Sequence, residues 1–210
     1  MRMVVFLGGM WRRMAWAMAP VVAAVSCAGC LLLTGGSQEA SQPAKPAAQK
    51  AEPWILIDSR TETLTVYRDG ESAVVFGNLA FGAAGVKEKR RAGDDVTPRG
   101  SYKVGWITHK SKFVHFIGIT YPGLEDAERG LRDGTISRAT YSRIERALQQ
   151  GDVPPQDTPL GGLIGIHGVG KGSLEIHRIA NWTAGCIAIE NRDIRKLSRL
   201  VKPGMRVEIQ

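Results

Sequence analysis

A polar segment near the amino end confines any folded domain to the later part of the chain. Residues 34–53 contain no aromatic and no branched apolar side chain. A segment of this composition cannot bury enough apolar surface to offset its conformational entropy, so we expect a flexible linker. A compact core must therefore come from residues 54–210, where apolar residues occur in short runs. That length is typical of one domain.

Residues 1–33 are predicted to direct the chain out of the cytoplasm. Two adjacent arginines precede an apolar run, which is the pattern of an export signal. Cys27 and Cys30 follow small residues near the end of this run, and each is a candidate for lipidation. Alternatively, the 20 residues from Met14 to Leu33 remain as an uncleaved anchor, because that length can span a bilayer. In each case we expect a protein of the periplasm or cell envelope, associated with the membrane through its N-terminal segment.

The sequence over 54–210 predicts a mainly-β domain. Short runs of strand-forming residues, beginning at Trp54 and Leu64, are broken repeatedly by Gly, Asp and Pro, which predicts a β-sandwich. Two helical parts are expected within it. One is an inserted amphipathic segment capped by Thr135, and the other is a helix over 192–201 that follows the only later cysteine and is capped by Asn191.

The charge of the chain is positive but does not by itself identify a partner. There are 28 Lys and Arg residues against 20 Asp and Glu residues, a net charge of +8. The basic residues are dispersed, and neither a basic helix nor an aromatic stacking platform is present, so we predict no nucleic-acid binding. A basic surface is equally suited to anionic lipid or to an anionic cell-wall polymer.

The stretch 165–191 contains the candidate catalytic residues. Cys186 is the only cysteine beyond the N-terminal segment, and His167 and His177 lie in the same stretch. A cysteine becomes a strong nucleophile when a nearby imidazole accepts its proton. Backbone N–H groups around Gly185 and Cys186 can then face the oxyanion of an acyl-transfer intermediate. This pattern predicts a Cys-His acyl-transfer site.

Other interpretations of the same stretch are weaker. A single cysteine is often an inert buried residue. Residues 165–171 match the first seven positions of a phosphate-binding loop, but Gly172 stands where Ser or Thr should hold magnesium. Zinc binding by the two histidines and the cysteine does not fit the usual ligand spacings, and a redox pair would need a cysteine at Thr183. We therefore predict neither a metal nor a cofactor.

Two motifs resemble those of the L,D-transpeptidase catalytic domains of the YkuD type. The first is His167-Gly168 followed by Thr183 to Ile187, which corresponds to the family order His-Gly and then Ser/Thr-x-Gly-Cys. The second, over 93–100, corresponds to the family loop Gly-Asp-x-x-Thr-Pro-x-Gly. The resemblance extends over about residues 53–210. One departure is Ala188, where many members have arginine.

The resemblance implies a β-sandwich and a reaction on peptidoglycan stem peptides. Cys186 would form an acyl-enzyme with a stem tetrapeptide, release D-alanine and pass the acyl group to an amine, giving a 3-3 cross-link or attachment of an envelope protein. His167 would be the base, and Gly168, Thr183 and Gly185 would support the site. The resemblance also implies inhibition by carbapenems.

Three points stay open at this stage. His177 has a structural role, orients the catalytic imidazole or lines the cleft. Water is an alternative acyl acceptor, which would make the protein an L,D-carboxypeptidase. A cell-wall-binding lipoprotein without catalytic activity is a further alternative.

Overall fold

The computed structural model describes residues 51–210. The predicted export segment with Cys27 and Cys30, and residues 34–50 of the predicted linker, lie outside the described residues. The ten strands are β1 Trp54–Asp58, β2 Thr63–Arg68, β3 Glu71–Phe76, β4 Val86–Lys87, β5 Thr97–Pro98, β6 Gly100–Ser111, β7 Val114–Ile119, β8 Gly165–Gly168, β9 Ile187–Ile189 and β10 Arg206–Ile209. The four helices are α1 Leu124–Arg132, α2 Arg138–Gln149, α3 Leu174–Ile179 and α4 Asn191–Leu197.

The prediction of a mainly-β sandwich is confirmed. Eight strands are hydrogen-bonded in the order β3-β2-β1-β10-β6-β7-β8-β9, and β4 and β5 form a separate pair. The long strand β6 belongs to both halves of the sandwich, because its first residues pair with β10 and its later residues pair with β7. Alternate residues of the strands point inward, so side chains from both halves meet in one hydrophobic core.

The segment between β8 and β9 positions the candidate site. These two strands are parallel neighbours, with Ile166 opposite Ile187 and His167 opposite Ala188. Parallel neighbours need a crossover connection, and here residues 169–186 form it and include α3. The crossover returns the chain so that β9 begins immediately after Cys186, beside the start of β8.

The inserted helical part contains two helices rather than one. Helices α1 and α2 enclose a small apolar cluster separate from the main core, formed by Ala127, Ile136, Ile144 and Leu160. The predicted cap at Thr135 is wrong, because the N-cap of α2 is Ser137, whose hydroxyl accepts a hydrogen bond from the N–H of Thr140.

The helix that follows the cysteine is present but shorter than predicted. Helix α4 ends at Leu197, although the apolar residue Val201 is still buried from the turn beyond it. Its N-cap is Glu190, so the predicted cap at Asn191 is also wrong. Within residues 51–210, no helix combines the length and apolar character needed to cross a membrane.

Candidate active site

Strand β8 presents His167 in one defined tautomer. The side chain is 2% exposed, and its Nδ1 lies 2.8 Å from the carbonyl oxygen of Gly168. A carbonyl oxygen can only accept, so Nδ1 carries the proton and Nε2 has a lone pair. The ring of Phe113 stacks on the imidazole with 4.1 Å between centroids. The imidazole is therefore held in the form that can act as a base.

The strand register places Cys186 on the same face of the sheet as His167. Ala188 lies opposite His167 in the parallel pair, and side chains two residues apart on a strand share a face. Cys186 therefore precedes β9 on the side where His167 projects. Its sulfur lies 3.5 Å from the carbonyl oxygen of Leu163, to which the thiol donates, and within the described residues no hydrogen bond joins the sulfur to His167. In this arrangement the thiol is directed at the Leu163 carbonyl and not at the imidazole.

His167 is buried and Cys186 is partly exposed, and desolvation favours the uncharged form of both groups. Desolvation raises the pKa of the Cys186 thiol above its usual 9.0, although a backbone hydrogen bond from Gly165 and the charge of Lys89 oppose the increase. Desolvation also lowers the pKa of His167 below its usual 6.5, against the effect of the Gly168 carbonyl. Both shifts favour a thiol and a neutral imidazole near neutral pH.

Hydrogen bonds within the cysteine turn fix its shape. The hydroxyl of Thr183 donates to the carbonyl oxygen of Cys186 at 2.6 Å and accepts from the N–H of Gly185 at 3.1 Å. Gly185 has φ +124°, and a Cβ there would lie 2.7 Å from the carbonyl oxygen of Val96, so only glycine fits. Because the Gly185 N–H is engaged by Thr183, the N–H of Cys186 is the remaining candidate of the two for the expected oxyanion role.

The charged loop before β5 supports this turn. Asp94 forms an ion pair with the buried Lys89 and accepts hydrogen bonds from three backbone N–H groups of the same loop. The loop brings Val96 against Gly185, and the hydroxyl of Thr97 donates to the carbonyl oxygen of Cys186 at 3.4 Å. The two motifs seen in the sequence therefore meet in space.

His177 is connected to His167 through a tryptophan. His177 is 2% exposed, and its Nδ1 accepts a hydrogen bond from Nε1 of Trp182 at 3.3 Å. The edge of Trp182 faces the His167 ring, with 5.9 Å between centroids. No hydrogen bond joins the two histidines in the part of the chain that the structure describes. His177 thus contacts the residue that flanks the base.

Gly168 and Asn191 fix the backbone beyond the base. A Cβ at position 168 would lie 2.6 Å from the carbonyl oxygen of Phe113, and the N–H of Gly168 donates to that same oxygen at 3.0 Å. The side-chain amide of Asn191 forms two hydrogen bonds with the backbone of Gly170. This contact replaces the helix-capping role expected for Asn191.

Several contributors were missed in the sequence. Phe113 lies far from the motif along the chain, and Leu163 lies shortly before His167, but no local pattern marks either residue. Trp182 lies directly before Thr183, so of these three residues it is the one that its place beside the motif could have indicated. At the position where many family members have arginine, Ala188 is fully buried and exchanges two backbone hydrogen bonds with Ala80. Residues 51–210 contain no group of three His, Cys, Asp or Glu side chains arranged to hold a metal ion.

Comparison with known proteins identifies the family of the domain. The sequence model of the YkuD family, described as the L,D-transpeptidase catalytic domain, matches residues 52–209. No curated protein is a significant match to the sequence.

Similar solved structures include two of the helical cell shape determining protein Pgp2 from Campylobacter jejuni. The K307A mutant is 23% identical with a TM-score of 0.52, and the other structure is 23% identical with a TM-score of 0.50. Each alignment covers 75% of this chain and 46% or 47% of the Pgp2 chain. The structure of Bd1075 from Bdellovibrio bacteriovorus is 19% identical, with a TM-score of 0.47, and the alignment covers 75% of this chain and 47% of that one. This chain thus spans about half the length of these proteins, and the Pgp2 likeness establishes the fold.

The neutral state of the pair predicts an unusual pH dependence. Alkylation of Cys186 by iodoacetamide needs the thiolate, so its rate should keep rising with pH to 9 and above, where a raised thiol pKa begins to be titrated. Acylation assisted by His167 should instead persist near pH 7 and decline only below pH 6.5, as the imidazole is protonated. Intact-mass kinetics across pH measure both rates. An alkylation rate already at its plateau at pH 6 would indicate a preformed thiolate-imidazolium pair and contradict this account.

The His177–Trp182 hydrogen bond predicts non-additive substitutions. His177→Phe leaves the N–H of Trp182 without its acceptor, which should cost about 1–3 kcal/mol of unfolding free energy and slow acylation of Cys186. In a Trp182→Phe background the same change should cost much less, because both partners are gone. Denaturant unfolding and acylation rates of the two single variants and the double variant test this. Additive effects on both quantities would show that the pair does not act as a unit.

Proposed function

Because the chain belongs to the YkuD family of L,D-transpeptidase catalytic domains, we propose that it is an exported enzyme that acts on peptidoglycan stem peptides. The observation that carries the proposal is the placement of Cys186 and His167 on one face of the β8–β9 pair, with Nδ1 of His167 bonded to the Gly168 carbonyl. That hydrogen bond leaves Nε2 to accept the thiol proton.

The first half-reaction forms a thioester. Nε2 of His167 takes the proton of the Cys186 thiol while the sulfur bonds to the carbonyl carbon between the third and fourth residues of a stem tetrapeptide. The N–H of Cys186 stabilises the resulting oxyanion. The C–N bond then breaks, His167 returns its proton to the leaving amine, and D-alanine is released.

The second half-reaction transfers the acyl group. An amine of a second stem or of an envelope protein attacks the thioester, and His167 removes its proton. The C–S bond breaks, the sulfur leaves as thiolate and recovers a proton from the imidazolium, and a new amide remains. Water can follow the same steps and give an L,D-carboxypeptidase. The acceptor is decided by what the cleft admits, not by the chemistry of Cys186 and His167.

The location proposed for the enzyme is the periplasm or cell envelope. The apolar run at 1–33 and the linker to residue 53 would hold the domain near the membrane while allowing it to reach the wall. Pgp2 is described as a helical cell shape determining protein, and remodelling of the wall by this chain would affect cell shape in a comparable way.

The proposal predicts release of D-alanine that depends on both residues. The full-length chain in detergent, incubated with a stem tetrapeptide and an excess of an amine acceptor, should release D-alanine and form an amide product. Cys186→Ala should abolish release, and His167→Gln should reduce it by about 100-fold or more, because general-base catalysis is lost. Lys202→Glu, an exposed change outside the site, should have no effect.

The products separate the alternatives. Mass spectrometry of the reaction mixture shows an amide product for transpeptidation and a free tripeptide when water is the acceptor. Release of D-alanine that survives Cys186→Ala would contradict the mechanism. No release by the wild-type chain, with Cys186 still open to alkylation, would favour the non-catalytic wall-binding alternative.

A further inference from the structure

A second feature of the domain is a groove next to the base. It has a volume of about 680 Å³, within the range of small-ligand sites, and lies between the β6–β7 turn and the segment that leads into α3. We call it the lysine groove. Its lining is Lys112, Phe113, Val169, Lys171, Gly172, Ser173, Ile176 and Trp182.

The lysine groove shares two walls with the active site. Phe113 stacks on the His167 ring, Trp182 meets that ring edge-on, and both side chains also line the groove. A ligand lying in the groove would therefore contact the two aromatic rings that pack against the imidazole. Neither His167 nor Cys186 is part of the lining, so the groove is an extension of the site rather than its reacting centre.

The turn that carries Phe113 is held in place firmly. Val114 has φ +74°, a left-handed conformation that is a genuine outlier for a β-branched residue. The carbonyl oxygen of Phe113 accepts from the N–H of Gly168, and a Cβ at Gly170 would lie 2.4 Å from the carbonyl oxygen of Lys112. The glycines after the base thus allow the turn to close against the site and form one wall of the groove.

The lining of the groove is mainly apolar, and its charged side chains are all lysines. Phe113, Trp182, Val169 and the 54% exposed Ile176 supply the apolar surface. Lys112 and Lys171 are exposed, and the lining contains no Asp or Glu. Among residues 51–210 neither lysine forms an ion pair, and Nζ of Lys112 lies 5.0 Å from the centroid of the Phe113 ring. The groove is therefore complementary to a ligand that has aliphatic groups and more than one carboxylate.

Segments of the protein itself do not match this description. The linker 34–53 carries two lysines and two glutamates, and it has no branched apolar side chain to fill the groove. A second copy of the chain, with a net charge of +8, is repelled rather than attracted. A neutral glycan strand would use the aromatic surface but would leave both ammonium groups without partners. A short acidic peptide satisfies both parts of the lining.

We propose that the lysine groove binds the carboxylate-bearing part of the stem peptide, with Lys112 and Lys171 pairing with its carboxylates and Ile176 and Trp182 contacting its aliphatic groups. This inference rests on the proposed function, because it names where that substrate lies. The groove then serves to hold the peptide backbone alongside His167 while the reacting carbonyl reaches Cys186.

The test is binding of a stem tetrapeptide to the full-length Cys186→Ala chain in detergent, measured by calorimetry at low salt. Lys112→Glu with Lys171→Glu should weaken binding by about tenfold or more, because two attractive charges become repulsive. A matched control, Lys103→Glu with Lys202→Glu, makes the same change in net charge at exposed sites outside the groove and should leave binding unchanged. Ile176→Ser should weaken binding several-fold.

Each outcome decides the proposal. Equal weakening by the groove pair and the control pair would mean that only general charge attraction operates, and the groove assignment would be wrong. Absence of tetrapeptide binding to the parent chain, or displacement of the peptide by a sugar strand that lacks peptides, would also overturn it.

Turnover by the chain that retains Cys186 separates this inference from the proposed function. If the variant with Lys112→Glu and Lys171→Glu releases D-alanine with an unchanged KM, the groove assignment is wrong but the proposed enzymatic function stands. If tetrapeptide binding depends on the two groove lysines but no D-alanine is released, the groove assignment stands and the proposed reaction is wrong.

Discussion

The parallel pairing of β8 with β9 is the constraint on which the candidate site depends. It sets Cys186 and His167 on one face of the sheet, two residues out of register, with a crossover of 169–186 between them. Both strands are fully buried, so a slip of one residue in either strand would turn its isoleucines to the opposite face of the sheet and move the functional side chain of that strand with them. The packing energy of the core therefore maintains the geometry of the site.

Desolvation gives the site its chemical character. Burial stabilises neutral forms, so it raises the pKa of the thiol and lowers that of the imidazole. Such a pair keeps a protonated, less reactive sulfur until a carbonyl is in position, and it relies on the base during attack. The Gly168 carbonyl contributes by fixing the tautomer, and the Trp182–His177 contact flanks the ring. These supports are backbone and aromatic contacts rather than charges.

The fold class was predictable from the sequence because it depends on local patterns of apolar and turn residues, and the same local patterns suggested the candidate catalytic residues. Short runs of strand-forming residues broken by Gly, Asp and Pro indicated the sandwich, and Cys186 with His167 in one glycine-rich stretch suggested the candidate site. The same reasoning failed where a distant part of the chain decides the outcome. Phe113 reaches His167 across more than fifty residues, and no periodicity encodes that contact. Asn191 was expected to cap α4 but bonds to Gly170, because a tertiary partner satisfied its amide.

The C-terminal end of α4 shows a second kind of error in the prediction from sequence. The apolar spacing continues to Val201, yet the helix ends at Leu197 and the last apolar residue is buried from a turn. Hydrophobic spacing shows which side chains face the core, but it does not require the backbone between them to stay helical. Element type was predictable, whereas the ends of elements and the contacts between them needed the three-dimensional structure.

The most direct test of the central claim is the intact mass of the full-length chain after exposure to a carbapenem near pH 7, for the wild type, Cys186→Ala and His167→Gln. We expect one covalent adduct on the wild type, none on Cys186→Ala, and much slower formation on His167→Gln, because the neutral imidazole must take the thiol proton. An adduct that forms on Cys186→Ala, or at an undiminished rate on His167→Gln, would contradict it.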